Sequence, residues 1–420
     1  GWPGVRGTIV SQLDGDRQVE RRGAATPAFL EYGFRPFFLG AGLHAALAML
    51  AWLAWIGFHA MSVQVIDMTI AGPVHIWHAH EMIFGYALAV VAGFFLTAVP
   101  SWTGRRPVSG MLLAVLFALW LAARLASGFS AYLPPLLVAI PELAFIGMLA
   151  ALVGQALLSG WSKRNFVFLP VLAALFAAAA LYHAEAGGLT KRTLQAGHLL
   201  GLDSLLLLIT VVGGRIVPAF TTNALRREGE AHLPRAADGR DVAAIVTVIL
   251  VAVSDFVAPG SAVTGWLCLA AAASAALRMI GWRTTRVFGA PILWILHLAY
   301  AWLAVGFLLK FFALVTGAFS EITAIHALSV GAIGSMTLGV MTRAALGHTG
   351  RALQVGSAIA LAYGMVSAAA VIRVGGPVLV PGLYNETMLV SGMLWVAAFA
   401  LFVAIYWPIL TQPRVTARPQ

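Results

Sequence analysis

His75-Ile-Trp-His-Ala-His-Glu81 places three histidines and a glutamate within seven positions, directly ahead of an apolar run from Ile83 to Val99 that ends at Pro100. Imidazole binds metals and carries protons near neutral pH. Ionisable groups at membrane depth are costly and tend to be kept for function. His75 and His78 are three residues apart and can share one helical face. His78 and His80 are two apart and point to different sides of a helix, so they can serve two different centres.

His80 has counterparts further along the chain. His198 and His326 also open long apolar runs. Pro100 follows His80 by 20 positions, and Pro218 follows His198 by 20. Thr103-Gly104-Arg105 lies 23 to 25 positions after His80, and Thr349-Gly350-Arg351 the same distance after His326. Arg215 and Arg343 each lie 17 after their histidines. The runs before these also correspond, opening with Phe34-Arg-Pro36, Arg164-Asn-Phe-Val-Phe-Leu-Pro170 and Arg286-Val-Phe-Gly-Ala-Pro291. Such self-similarity indicates repeats.

The elements that must position these groups are membrane helices. The chain has 420 residues, 60% hydrophobic and 10% charged, with mean hydropathy +0.89. That composition excludes a soluble domain, and long continuous runs exclude the short alternating strands of a membrane barrel. The net charge of +10 is spread over short loops, so no nucleic-acid partner is expected. A lone cysteine, Cys268, excludes an intramolecular disulfide and a four-thiolate cluster, and reads as a buried, inert thiol.

At roughly 20 apolar residues per span, the sequence predicts an all-α polytopic bundle of about twelve transmembrane helices. They cover about 34–58, 77–99, 109–127, 133–158, 165–183, 194–217, 241–258, 261–280, 288–315, 323–345, 353–374 and 385–410. A single domain over 31–412 follows, in three quasi-repeats of four helices (about 31–160, 161–282 and 283–412) around a pseudo-threefold axis. Residues 1–30 and 413–420 are expected as cytoplasmic tails. The first holds Arg17, Arg21 and Arg22 and no apolar core of a signal peptide.

Alternate loops carry the positive charge: Arg105 and Arg106, Lys163 and Arg164, Arg226 to Arg240, Arg283 and Arg286, Arg351, then Arg414 and Arg418. Only Lys191 and Arg192 break the alternation. The positive-inside rule then sets both termini in the cytoplasm and the histidine cluster outside, in the periplasm of a bacterial inner membrane.

In three repeats closing on one axis, His80, His198 and His326 form a layer near the outer boundary. Neutral imidazoles in a partly dry site suit copper or haem iron, and calcium or magnesium poorly. His80 and His326 are the expected haem ligands, and His78, His198 and His75 the expected copper ligands. His44 and His297 fall near mid-membrane and form a second possible haem pair. Arg124 and Arg373 sit at outer helix ends, where they could face haem propionates or an anionic nitrogen oxide. Asp203 and Glu81 could orient imidazoles or carry protons. Tyr86 could stack on a macrocycle or pack in the bundle.

Phe34-Arg-Pro-Phe-Phe-Leu-Gly40, the His75–Phe84 block, Gly197-His-Leu-Leu-Gly201, Gly213-Gly-Arg-Ile-Val-Pro218, His326-Ala-Leu-Ser-Val-Gly331 and Met341-Thr-Arg343 together resemble the NnrS family. The resemblance implies a membrane protein with b-type haem and copper, in nitric oxide metabolism and nitrosative stress, with nitric oxide or a related nitrogen oxide as ligand and an unidentified electron donor. The architecture is also similar to the catalytic subunit of haem–copper oxidases. That subunit's adjacent His-His pair and His-Pro-Glu-Val-Tyr stretch are missing here, so oxygen reduction is not expected. A metal- or proton-coupled transporter or sensor using the same histidines is the alternative.

Overall fold

A computed structural model describes residues 26–63, 69–160, 165–234 and 238–415. The tail arginines Arg17, Arg21, Arg22 and Arg418, and the loop residues Lys163, Arg164 and Arg235, lie outside the described residues.

Twelve long helices follow one another: α1 Phe34–Ala60, α2 Val74–Thr103, α3 Gly110–Gly128, α4 Pro135–Ser159, α5 Phe168–Ala186 and α6 Leu194–Arg227. Then come α7 Asp238–Val257, α8 Ala262–Met279, α9 Pro291–Thr316, α10 Glu321–His348, α11 Ser357–Leu379 and α12 Tyr384–Thr411. Eleven are long and apolar enough to cross a membrane. The exception, α7, is 20 residues long but carries Arg240, Asp241 and Asp255. Among the described residues there is no strand, as expected where only helices can satisfy every backbone group inside lipid.

Local chemistry fixes many of the ends. Pro135 and Pro291 open α4 and α9, where the missing N–H costs nothing. Ser261 and Ser320 accept backbone N–H bonds at the starts of α8 and α10. Gly104, at φ +68°, closes α2 in the left-handed conformation.

α11 lies four to five residues later than expected, at Ser357–Leu379, and two helices run past the prolines expected to end them. Pro100 and Pro218 lie inside α2 and α6, which continue to Thr103 and Arg227. A proline inside a membrane helix is tolerated when neighbours satisfy the freed groups. At α6 the carbonyl left without its helical N–H by Pro218 is that of Gly214; the Arg278 guanidinium packs against that residue and donates to the Thr210 carbonyl one turn earlier.

The three helices that begin with the repeated histidines form the inner ring. In their most apolar windows 72, 78 and 72% of residues are buried, against 33–61% for the other candidate spans. Each contains a π-helical segment: Glu81–Ala87, Ile209–Gly213 and Ala327–Gly334. Such widened turns recur at functional sites. Residues of α2, α6 and α10 alone line one central cavity of about 70 Å³, and Thr337 supplies the only polar side chain in that lining. The Tyr86 hydroxyl bonds to Thr337 and its ring packs edge-on to Trp395 and Phe399. Tyr86 is therefore a strut between α2 and α10.

Small residues permit the close approaches, as is usual between membrane helices. A Cβ on Gly197 of α6 would lie 2.5 Å from the Ala178 carbonyl of α5. Because the obstacle is backbone, the helices themselves must separate. Gly197→Ala is expected to destabilise the bundle by about 1–3 kcal/mol through overpacking. Gly57→Ala, with nothing within 4 Å of the added atom, should be nearly neutral. Thermal unfolding of the two variants in detergent checks the contrast.

Candidate metal centre

The even-numbered helices all start at one end of the bundle, called here the histidine end. There, six helices converge on two buried carboxylates. Glu81 begins the π segment of α2, one residue after His80. Glu142 follows Pro141 inside α4, whose only charged residue it is. Arg124 and Ser127 come from α3, Tyr182 and His183 from α5, His44 from α1 and His198 from α6.

Arg124 binds both carboxylates. Its Nη1 donates to both Glu81 oxygens at 2.8 Å, and its Nη2 donates to Glu142 Oε2. Ser127 Oγ donates to Glu81 Oε1 at 2.7 Å. His44 Nε2 lies 2.9 Å from Glu81 Oε2. His80 is held on both sides, with Nδ1 3.0 Å from Glu81 Oε1 and Nε2 3.0 Å from Glu142 Oε1. His183 Nε2 lies 3.2 Å from the same Glu142 oxygen. Tyr182 stacks on the His80 ring at 4.0 Å, and the His198 ring lies 6.3 Å from that of His80.

Charge counting gives this arrangement its chemistry. Two carboxylates and one guanidinium leave a net −1 when the imidazoles are neutral. A neutral imidazole also has only one N–H, yet both His80 nitrogens face carboxylate oxygens. One more cation satisfies both requirements, either a proton on an imidazole or a metal ion. His80 Nε2, Glu142 Oε1 and His183 Nε2 all lie within 4.8 Å of one another. Ligands about 2.0–2.2 Å from one ion sit about 3–3.5 Å apart in a tetrahedral site, so spacings of 3.0 and 3.2 Å need little adjustment. Two nitrogens and one carboxylate oxygen suit copper(II) or zinc. His198 Nε2 is buried without a hydrogen-bond partner among the described residues and is a further donor beside the set. A cavity of about 70 Å³ adjoins the His80 and His183 side of the set, lined also by Ser127 and Tyr182 among others. That volume admits water or another very small ligand.

A second group forms on the other side of α2. His78 stacks on Trp52 at 4.8 Å, and its Nδ1 is buried without a partner among the described residues. His326 and Arg373 are its electrostatic neighbours. His326 Nδ1 lies 2.7 Å from the Ile322 carbonyl. Bonded so, Nδ1 carries the proton and Nε2 keeps its lone pair for a ligand.

The layer expected from the sequence thus divides. His80 and His198 are together, while His326 stands with His78. His75 is exposed at the start of α2. His44 and His297 share no partner. His297 bonds Thr221 and Thr284 through its two ring nitrogens, at 2.8 and 2.9 Å, while His44 faces Glu81. Arg124 is buried between carboxylates and does not snorkel. Asp203 is one of a separate charged group with Asp255 and Lys310.

Sequence reasoning missed Glu142, His183, Tyr182 and Ser127. Glu142 carried a usable signal, being a lone carboxylate in the middle of an apolar span. His183 ends its helix near polar loop residues and gives no such contrast.

Removing one partner from a buried ion pair costs about 3–5 kcal/mol because the other charge is left uncompensated. Arg124→Leu is expected to lose at least that much, with Arg124→Lys intermediate. Denaturation in detergent measures it, and an Arg124→Leu protein as stable as the parent would contradict this account.

No curated protein matches the chain. The family model described as NnrS protein matches residues 28–414, from just before α1 to just beyond α12. The chain therefore belongs to the NnrS family.

Proposed function

We propose that this chain is a haem- and copper-binding protein of a bacterial inner membrane that binds or transforms nitric oxide or a close relative at the histidine end, which faces the periplasm. The observation that carries the reading is the buried His80–Glu142–His183 set, short of one positive charge and beside a cavity of ligand size.

Copper is assigned to His80, Glu142 and His183, with His198 in reserve. Arg124 and Ser127 hold Glu81, and Glu81 in turn fixes the ring of His80. Haem is assigned to the other side of α2. The donor chemistry fits there: His326 offers Nε2 with its Nδ1 tied to a carbonyl, His78 has an unpartnered nitrogen, and Arg373 matches an anionic propionate. Haem iron supplies one-electron chemistry and diatomic binding when present. The central cavity does not suit it, since no histidine lines it. That apolar space does suit a small, weakly polar molecule.

The expected absorption spectrum of protein purified from haem-replete cells has a Soret band and, after dithionite, an α band, with copper near one per chain. His80→Ala, Glu142→Ala and His183→Ala should each lower copper content at least tenfold while leaving the haem bands in place. His326→Ala should do the reverse. A colourless protein with neither metal would overturn the reading, and coordinated loss of both metals in every variant would overturn the two-site assignment.

A further inference from the structure

A second buried charge group lies apart from both sets of histidines. Asp203 of α6, Asp255 of α7 and Lys310 of α9 are 2, 1 and 1% exposed. Cys268 of α8 is their neutral neighbour. Lys310 Nζ contacts Asp255 Oδ2 and lies 3.7 Å from a carboxylate oxygen of Glu321, the first residue of α10. The Glu321 side chain is 32% exposed. Lys310, Asp255, Glu321 and Cys268 are the titratable groups that face this cluster from α7 to α10 among the described residues.

A structural ion pair would need only Lys310 and Asp255. Asp203 is a surplus acid. Neither Asp203 Oδ2 nor Asp255 Oδ1 has a hydrogen-bond partner among the described residues, and the two buried carboxyls are electrostatic neighbours of each other and of Lys310. Two carboxylates cannot bond without a proton between them. One proton satisfies both orphaned oxygens and cancels the excess negative charge left beside the single ammonium. It would be held in a low-dielectric site where an isolated charge is costly.

We propose that Asp203 and Asp255 form a proton-loading site that exchanges with the aqueous phase at the histidine end through Lys310 and Glu321. Loading is a simple transfer. Glu321 takes a proton from water and passes it to Lys310 as Lys310 releases one to Asp255, which shares it with Asp203. Every group but the Asp203–Asp255 pair ends as it began. The site lies about 7.5 Å along α6 from His198, at 1.5 Å per residue, and stands whether or not the metal assignments above are correct.

The test is infrared spectroscopy of the full-length protein in lipid nanodiscs, exchanged between H2O and D2O and titrated with buffer pH. The protein should show a protonated-carboxyl C=O band that shifts in D2O, disappears as pH rises and is lost in Asp203→Asn. In Glu321→Gln, which changes a partly exposed group outside the packed core, the band should persist and exchange at least tenfold more slowly. Absence of any such band in the parent protein, or a band that neither exchanges nor titrates, would overturn the proposal in favour of a static cluster. A band abolished by sodium but not by choline at constant pH would overturn it in favour of a cation site. The parent protein decides the matter even where Asp203→Asn fails to fold.

Discussion

Two carboxylates sharing one guanidinium, away from water, is the constraint around which the histidine end is built. Glu81, Glu142 and Arg124 come from three helices, and none of them could be buried alone without a large desolvation cost. Their mutual pairing fixes how α2, α3 and α4 meet. It also leaves a defined shortage of one positive charge, which the surrounding imidazoles of His44, His80 and His183 are placed to meet. Packing and chemistry are therefore the same problem here, and the geometry of the candidate metal set is inherited from the ion pair that supports it.

The three inner helices bring distant stretches of the chain together around one cavity. Small residues such as Gly197, Gly331 and Gly334 let their neighbours approach closely, while π segments alter the helical phase just beyond His80 and His326. In α2 that change follows the point where His78 and His80 already diverge to opposite sides. One short motif thereby supplies donors to two separate groups.

The architecture was legible because lipid imposes a simple rule. A span must be long, apolar and helical, so the runs and their order follow from composition. Spacing alone singled out α2, α6 and α10. The helix ends at Pro100 and Pro218 were misplaced because an internal proline reads locally as a stop, whereas packing against other helices carries α2 and α6 past it. The site was half legible. His80, Glu81 and Arg124 stand out by type and depth. Glu142 and His183 join them only through the packing of α4 and α5 against α2, and no local pattern encodes that meeting. The same holds for Asp203, whose partners Asp255 and Lys310 lie 52 and 107 residues further along.

The central cavity between α2, α6 and α10 has an electrical consequence. Its wall offers one hydroxyl, Thr337, and that hydroxyl is engaged by Tyr86. A chain of water needs two to four polar partners per molecule to persist in a protein interior, so this space works as a dielectric plug. Through this cavity, charge gathered at the histidine end finds no chain of polar partners to follow. A nonpolar guest fits such a lining without losing hydrogen bonds, whereas an ion would lose its hydration there and gain nothing in return.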